Sequence, residues 1–260
     1  MRPSRRELPE PREGIVVGRL DYGESDRIVR LLTPSEGRIA VMARGARSAR
    51  SRWAGMDIGA KVRFGAREGR GGMPQLVTVE VDDPHIRLRD ALGRLALASY
   101  ACEVCASLAR EHHPEPRLFG LLETTLLLLD ACDADPGVAF RVGLEGKAFT
   151  FAGIGPVLDR CVRCGGAPEP VMYFLPAGGG LRHARCREEE EGHAIPMSAA
   201  FAAALEAARR APLRDSLDLA LPPGPTDVLA IAVTAHTGRP LAAKAVLDTL
   251  ESDVVPPRLR

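Results

Sequence analysis

Cys161-Val-Arg-Cys164 and His183-Ala-Arg-Cys186 are two short pairs with eighteen residues between them. In each pair a two-residue gap turns both potential ligands the same way, so two such turns can close on one tetrahedral ion from opposite sides. The spacing predicts a Cys3His zinc site made by Cys161, Cys164, His183 and Cys186. Four protein ligands complete a tetrahedral shell and leave no position for water, which makes the expected zinc structural rather than hydrolytic. His193 fits less well, because it stands outside the paired spacing, whereas His183 mirrors Cys161 in leading its own gap. Gly165-Gly166 suits the tight turn of a metal knuckle. Unrelated loop cysteines are the bland alternative.

Three more cysteines, Cys102, Cys105 and Cys132, lie among apolar neighbours. An odd, apolar-flanked remainder is not a disulfide framework, and it points to a reducing compartment. Cys102-Glu-Val-Cys105 falls on the apolar stripe of a predicted helix with no second ligand pair nearby, so both are expected in the core. No run approaches the ~18 apolar residues of a membrane span, and Met1–Glu13 lacks the apolar centre of a signal peptide. A cytoplasmic protein is expected.

The formal net charge of +1 conceals a division. Arg38 to Arg70 holds nine basic residues (Arg38, Arg44, Arg47, Arg50, Arg52, Lys61, Arg63, Arg67, Arg70) against Asp57 and Glu68, a local charge of +7 that leaves −6 for the rest. One region is electrically suited to an anion.

In chain order, residues 1–13 read as a disordered tail. Gly14–Leu20, Asp26–Thr33, Arg38–Ala43, Gly59–Gly65 and Gln75–Val81 read as five strands, several alternating polar with apolar as strands with one wet face do. Five antiparallel strands over residues 14–82 fit a small closed barrel of the OB type, with an SH3-like barrel as competitor. From Ile86 to Arg110 the apolar period changes to three and four residues, an amphipathic helix whose end carries His112-His113 as candidate caps. Further helices are expected at 118–130, 138–151, 199–211, 227–235 and 241–250. The fold class is therefore α+β: a barrel, then a helical domain (83–157 and 193–251) interrupted by a zinc-ribbon-like module at 158–192, with a tail at 252–260. Glu188 to Glu191 reads as a solvated charge run.

Catalytic signatures fail on inspection. Gly143-Leu-Glu-Gly146-Lys147 has Arg141 and Ala148 where a phosphate-binding loop needs Gly and Ser or Thr, so it is expected to be helix surface. Gly153-Ile-Gly155 follows a helix instead of a strand. No nucleophile elbow, metalloprotease pair or deaminase pattern is present. An enzyme is not expected.

Gly14-Ile-Val-Val, Glu24-Ser-Asp-Arg-Ile-Val-Arg-Leu-Leu-Thr33, Gly37-Arg-Ile-Ala-Val-Met-Ala-Arg-Gly45, Gly153-Ile-Gly-Pro with the Cys161/Cys164 pair, and His236-Thr-Gly-Arg-Pro-Leu241 occur in this order. That series resembles the RecO family of bacterial recombination mediators along nearly the whole chain. The sequence departs from it at His183, where the family often has cysteine, and at Leu241-Ala-Ala-Lys244, where a Lys-Ser ending is common. The resemblance implies binding of single- and double-stranded DNA and strand annealing through the barrel, in repair and homologous recombination. It implies partnership with RecR, contact with the tail of the single-strand-binding protein through the helical domain, and assistance to RecA loading, near the nucleoid.

The residues point to DNA independently. Arg38, Arg44, Arg47, Arg50, Arg52, Lys61, Arg63 and Arg70 are expected near the usual oligonucleotide face of such a barrel, against the alternative of a merely solvated basic surface. With Tyr22, Trp53 and Phe64 as the only aromatics in the barrel, phosphate contact is expected to supply most of the affinity. Two other classes stay open: a zinc-ribbon RNA-binding or translation-associated module, and a protein adaptor with an acidic partner.

Overall fold

The computed structural model describes residues 8–48, 51–69, 72–188 and 192–253, with side chains to Leu250. The chain divides into two compact units, one running to Ile86 and including Ala109–Leu126, the other comprising Arg87–Leu108 and the chain from Leu127 onward.

In the first unit, β1 (Arg12–Tyr22), β2 (Asp26–Thr33), β3 (Gly37–Ala43), β4 (Lys61–Arg67) and β5 (Gln75–Asp83) close into a barrel of order β1-β2-β3-β5-β4. This is the expected OB-type arrangement. Alternate residues point inward: Val29 and Leu31 of β2, Ile39 and Val41 of β3, and Val62 and Phe64 of β4 share one buried cluster with Trp53 and Met56. The expectation of wholly antiparallel strands is corrected at one seam. β3 meets β5 in parallel through Met42 and Gln75, beside a 2.8 Å bond from Met42 N–H to Pro74 O. An odd number of strands cannot alternate direction around a closed ring, so one such seam is obligatory.

The segment after Ala109 is tied to the turn between β2 and β3. Arg38 N–H donates to Arg110 O at 3.0 Å and Glu115 N–H to Pro34 O at 3.0 Å. Gly37, at φ +62°, sits at this contact, and a Cβ there would lie 2.3 Å from His113 O and 2.4 Å from Arg110 O. His112 and His113 lie beyond the helix that ends at Leu108: the His113 ring lies 2.9 Å from Glu111 O, His112 N–H donates to Arg38 O at 3.4 Å, and His112 adopts φ +55°.

The second unit is built from α1 (Leu92–Leu108), the end of α2 (Pro116–Ala131), α3 (Val138–Phe151), α4 (Ala199–Arg210), α5 (Val228–Thr237) and α6 (Ala242–Asp253). The helix expected from Ile86 is interrupted. Residues 86–90 form a 3-10 turn in which Leu88 N–H is taken by the Asp130 carboxylate at 3.1 Å. Cys102 and Cys105 are fully buried, and burial pushes the Cys105 thiol up. Gly238, left-handed at φ +68°, ends α5, and the Glu103 carboxylate accepts from Ala242 and Ala243 N–H at the start of α6.

The reading of Gly143 to Lys147 as helix surface is overturned. Residues 139 to 149 of α3 are all buried. Gly143 and Gly146 allow close approach, since a Cβ would stand 3.0 Å from Ser216 Oγ at the first and 3.1 Å from Arg209 Cβ at the second. Lys147 turns its ammonium onto the carbonyls of Arg209 and Ala211, satisfying the end of α4. Arg141 meets Glu145 at 3.0 Å and Asp227 at 2.9 Å, and Tyr100 donates to Glu145 at 2.6 Å. A polar spine thus replaces the exposed face that the charges suggested.

Gly37→Ala combines left-handed strain with a backbone clash and is expected to cost about 2–4 kcal/mol. Gly23→Ala, at φ +58° with nothing within 4 Å of the added atom, is expected to cost only about 1 kcal/mol. Urea unfolding followed by Trp53 reads the barrel alone, because the chain has one tryptophan and its side chain belongs to the barrel core. Equal losses for the two variants would contradict this account of Gly37.

Candidate metal centre and nucleic-acid interface

A three-stranded antiparallel sheet of order β7-β6-β8 carries the metal-ligand segment, with β6 at Val171–Leu175, β7 at Gly180–Arg182 and β8 at Ile195–Ser198. The first knuckle is closed by Gly165 N–H to Cys161 O and Cys161 N–H to Gly166 O, both 2.9 Å, and is joined to β7 by Val162 N–H to Leu181 O at 2.8 Å. Gly166 has to be small, because a Cβ would come within 3.1 Å of the His183 ring and 3.3 Å of Cys164 Sγ. The second knuckle is a 3-10 turn, Ala184–Cys186, in which Cys186 N–H donates to His183 O at 3.0 Å.

These turns bring one ligand atom from each of Cys161, Cys164, His183 and Cys186 within 4.8 Å of one another. His183 Nδ1 lies 3.4 Å from Cys164 Sγ and 3.8 Å from Cys186 Sγ, while Nε2 is 2.8 Å from Ala167 O. Nε2–H therefore donates to the carbonyl and the Nδ1 lone pair faces the sulfurs, the orientation that fixes a ligating imidazole. A tetrahedral ion with bonds of ~2.3 Å to sulfur and ~2.0–2.1 Å to nitrogen spaces its ligand atoms about 3.6 Å apart. The tetrad fits. Burial pushes the Cys161 thiol up, but backbone hydrogen bonds from Cys164, His183 and Arg163 outweigh it and bring its pKa down to about 6. Burial and the hydrogen bonds with Cys164 and Cys161 push Cys186 up to about 11. Crowded sulfurs resist ionising together, and a divalent cation removes that conflict. His193 is exposed and outside the cluster. In the acidic run Glu188 pairs with Arg163 at 2.5 Å, and residues 189–191 lie outside the described residues.

On the barrel, the loop from β3 to β4 carries Arg44, Arg47 and Arg52, all exposed. It is pinned from beneath: the buried Trp53 indole donates to Arg44 O at 2.8 Å, and Gly45 N–H donates to Asp26 at 2.9 Å. Arg47 packs on the β1–β2 hairpin through bonds to Ser25 O at 2.9 Å and Gly23 O at 3.1 Å. Arg27 and Arg47 both reach Asp21, at 2.8 and 3.4 Å. The hydrogen bond from Arg27, helped by the charges of Arg47 and Arg19, holds the Asp21 carboxyl below its usual range. Asp21 is shared by Arg27 and Arg47 and Asp57 is taken by Arg19 at 2.6 Å, while Arg44 and Arg52 remain exposed on the loop.

The chain matches the family profile described as "Recombination protein O N terminal" over residues 10–84 and "Recombination protein O C terminal" over residues 89–229. The chain belongs to the RecO family. Among its relatives are proteins named DNA repair protein RecO from Anaeromyxobacter sp. (strain Fw109-5), 39% identical over 90% of this chain and 94% of the relative; from Myxococcus xanthus, 34% identical over 88% and 93%; and from Halalkalibacterium halodurans, 32% identical over 92% and 94%. The RecO N-terminal match coincides with the barrel, and the C-terminal match takes in the metal-ligand tetrad.

The expected DNA-binding set separates in space. Arg44, Arg47 and Arg52 gather at the loop, whereas Arg38, at the opposite end of β3, bonds Glu111 at 2.9 Å. Lys61 is held by Glu123 and stands 3.7 Å from Glu13. Arg63 bonds Asp82 at 2.8 Å and Glu80 at 3.1 Å. Arg50 and Arg70 lie outside the described residues. Arg19, Arg27 and Arg30 fall outside the expected set, because they precede the window in which basic residues concentrate; Arg19 is paired with Asp57 at 2.6 Å and Arg27 with Asp21 at 2.8 Å, and Arg30 is exposed. Their signal was the register of β1 against β2, which places Arg27 opposite Asp21 and Arg30 opposite Gly18.

Protein purified without added metal is expected to carry one divalent ion per chain. Cys161→Ser should lose it and melt the β6–β8 segment, because such sites contribute on the order of 10 kcal/mol to folding. Elemental analysis with amide exchange reads both effects, and a metal-free chain with full protection over residues 161–198 would contradict the assignment.

Proposed function

We propose that this RecO-family chain is a DNA-binding recombination mediator that anneals complementary strands and helps RecA load onto single strands coated with single-strand-binding protein. The observation that carries the reading is the cluster of exposed arginines, Arg44, Arg47 and Arg52, held by a buried tryptophan on a closed OB-type barrel. Two DNA strands repel through their phosphates, and a basic surface that neutralises both lowers the cost of bringing them together. Phosphate contacts carry no sequence information, so such a surface serves any pair of complementary strands. Nothing need be hydrolysed, and the protein works by binding, in the cytoplasm at the nucleoid.

The metal in this reading is zinc, held by Cys161, Cys164, His183 and Cys186. Three thiolates and an imidazole suit zinc's preference for soft ligands, and the filled shell makes its contribution structural. RecR and the single-strand-binding protein are the partners. For the tail of the latter, the second unit offers an apolar cleft lined by Leu97, Val138, Leu247 and Leu250, with Asp135 also in its wall. Apolar walls of this kind suit the hydrophobic side chains of a short peptide.

Replacing Arg44, Arg47 and Arg50 with Glu is expected to weaken DNA binding at least tenfold with the barrel still folded. If about five phosphates of a single strand are neutralised, the log–log salt slope is about −3.5, and a fourfold rise in salt costs on the order of a hundredfold in affinity. Fluorescence titration across a salt series checks both, and salt-insensitive binding would refute the phosphate mechanism.

A further inference from the structure

The aromatic residues of the first unit are not equivalent. Trp53 is 7% exposed, Phe64 1% and Phe119 5%, all committed to packing, while Tyr22 at the end of β1 is 57% exposed. No described residue hydrogen-bonds its hydroxyl. Tyr22 does not stand alone. Register places Leu20 opposite Ile28 and Ile28 opposite Met42. Val29 and Val41, the sequence neighbours of Ile28 and Met42, face the core, so Leu20, Ile28 and Met42 form a row across the outer face of three strands. Leu20 is 52% exposed, and Ile28 and Met42 are half-buried. Tyr22 lies one side-chain step along β1 from this row, about 7 Å away.

Charges of both signs border the row: Asp26, opposite Tyr22, is occupied by Gly45 N–H at 2.9 Å, and arginines stand at both ends. Exposed Arg30 follows Ile28 at the next outward position of β2 and lays its stem over Gly18, where a Cβ would stand 3.6 Å from Arg30 Cδ. At the Tyr22 end, Arg47 bonds Gly23 O and approaches Asp21, which Arg27 also holds. A flat apolar strip ending in a free ring and bordered by guanidiniums suits a ligand with apolar flat groups on an anionic backbone. Duplex DNA hides its bases, so the strip has nothing to gain from it. An unpaired strand offers both parts.

We propose that Tyr22, with the Leu20–Ile28–Met42 row, is a base-stacking platform that gives this barrel a preference for unpaired strands over backbone charge alone. The inference rests on the DNA-binding reading above and deepens it. Arginines hold the phosphates, and the ring and apolar row take the bases without hydrogen-bond readout, so the preference is insensitive to sequence.

The test compares the full chain's affinity for an oligothymidylate with that for an abasic phosphodiester strand of equal length and charge, at one salt concentration. The wild type is expected to bind the base-bearing strand about tenfold more tightly. Tyr22→Ala should bring that ratio close to one while leaving the salt slope unchanged, and Tyr22→Phe, which keeps the ring, should retain it. Equal wild-type affinity for both strands with a normal salt slope would overturn stacking and leave the phosphate reading intact. Failure to bind either strand at low salt would overturn both. A Tyr22→Ala chain with an unchanged ratio that lost binding to a protein partner would assign the face to that partner and refute the proposal.

Discussion

Three sulfurs and one imidazole nitrogen converge within 4.8 Å in the second unit, and the segment around them depends on that convergence. The sheet that carries them has strands of five, three and four residues, too small to bury a core of its own. The Cys161 thiol is held down and the Cys186 thiol up, as expected of sulfurs competing for one negative charge. A divalent ion held there would turn this conflict into cohesion, because every thiolate would then gain by ionising. The carbonyl of Ala167 completes the arrangement by fixing which nitrogen of His183 faces the sulfurs.

The barrel follows a different logic. Its buried cluster is apolar and uncharged, so its cohesion needs no charges, and its surface charges are free to differ in role. Some are consumed locally: Arg63 by its neighbours on β5, and Lys61 by Glu123 of α2. Exposed pairs of this kind contribute little to stability, but they withdraw positive charge from the surface available to a ligand. The loop arginines stay exposed on a backbone fixed by Trp53, although Arg47 also reaches Gly23 O and Asp21 and Arg52 lies 4.3 Å over the Trp53 ring. Segregation between spent and available charge, more than total charge, gives the barrel a directional surface.

Much of this was legible in the sequence, and the failures have physical causes. Paired ligand spacing is a local signal, and it led to the same four residues that the fold assembles. Period-two alternation revealed the barrel, yet the parallel seam between β3 and β5 escaped because it follows from closure, which no single strand encodes. α3 was misjudged because Arg141, Glu145 and Lys147 look like solvent-facing residues. The partners of Arg141 and Lys147, Asp227 and the carbonyls of Arg209 and Ala211, lie more than sixty residues away, and Tyr100, which donates to Glu145, lies 45 away. Lys61 likewise has a partner the sequence does not disclose, Glu123, 62 positions distant. Sequence discloses a charge but not whether a remote segment has already claimed it.

The first unit coheres through an apolar barrel core and carries the exposed basic loop, and the second combines a buried helical core with a tetrad that could hold a metal ion. The central claim is that binding alone, without turnover, promotes the pairing of strands. The most direct measurement is the rate at which complementary strands, each coated with single-strand-binding protein, anneal when the purified chain is added without nucleotide. The account predicts an acceleration that saturates near stoichiometric protein and falls steeply with salt. An unchanged rate, or one that requires a nucleoside triphosphate, would contradict it.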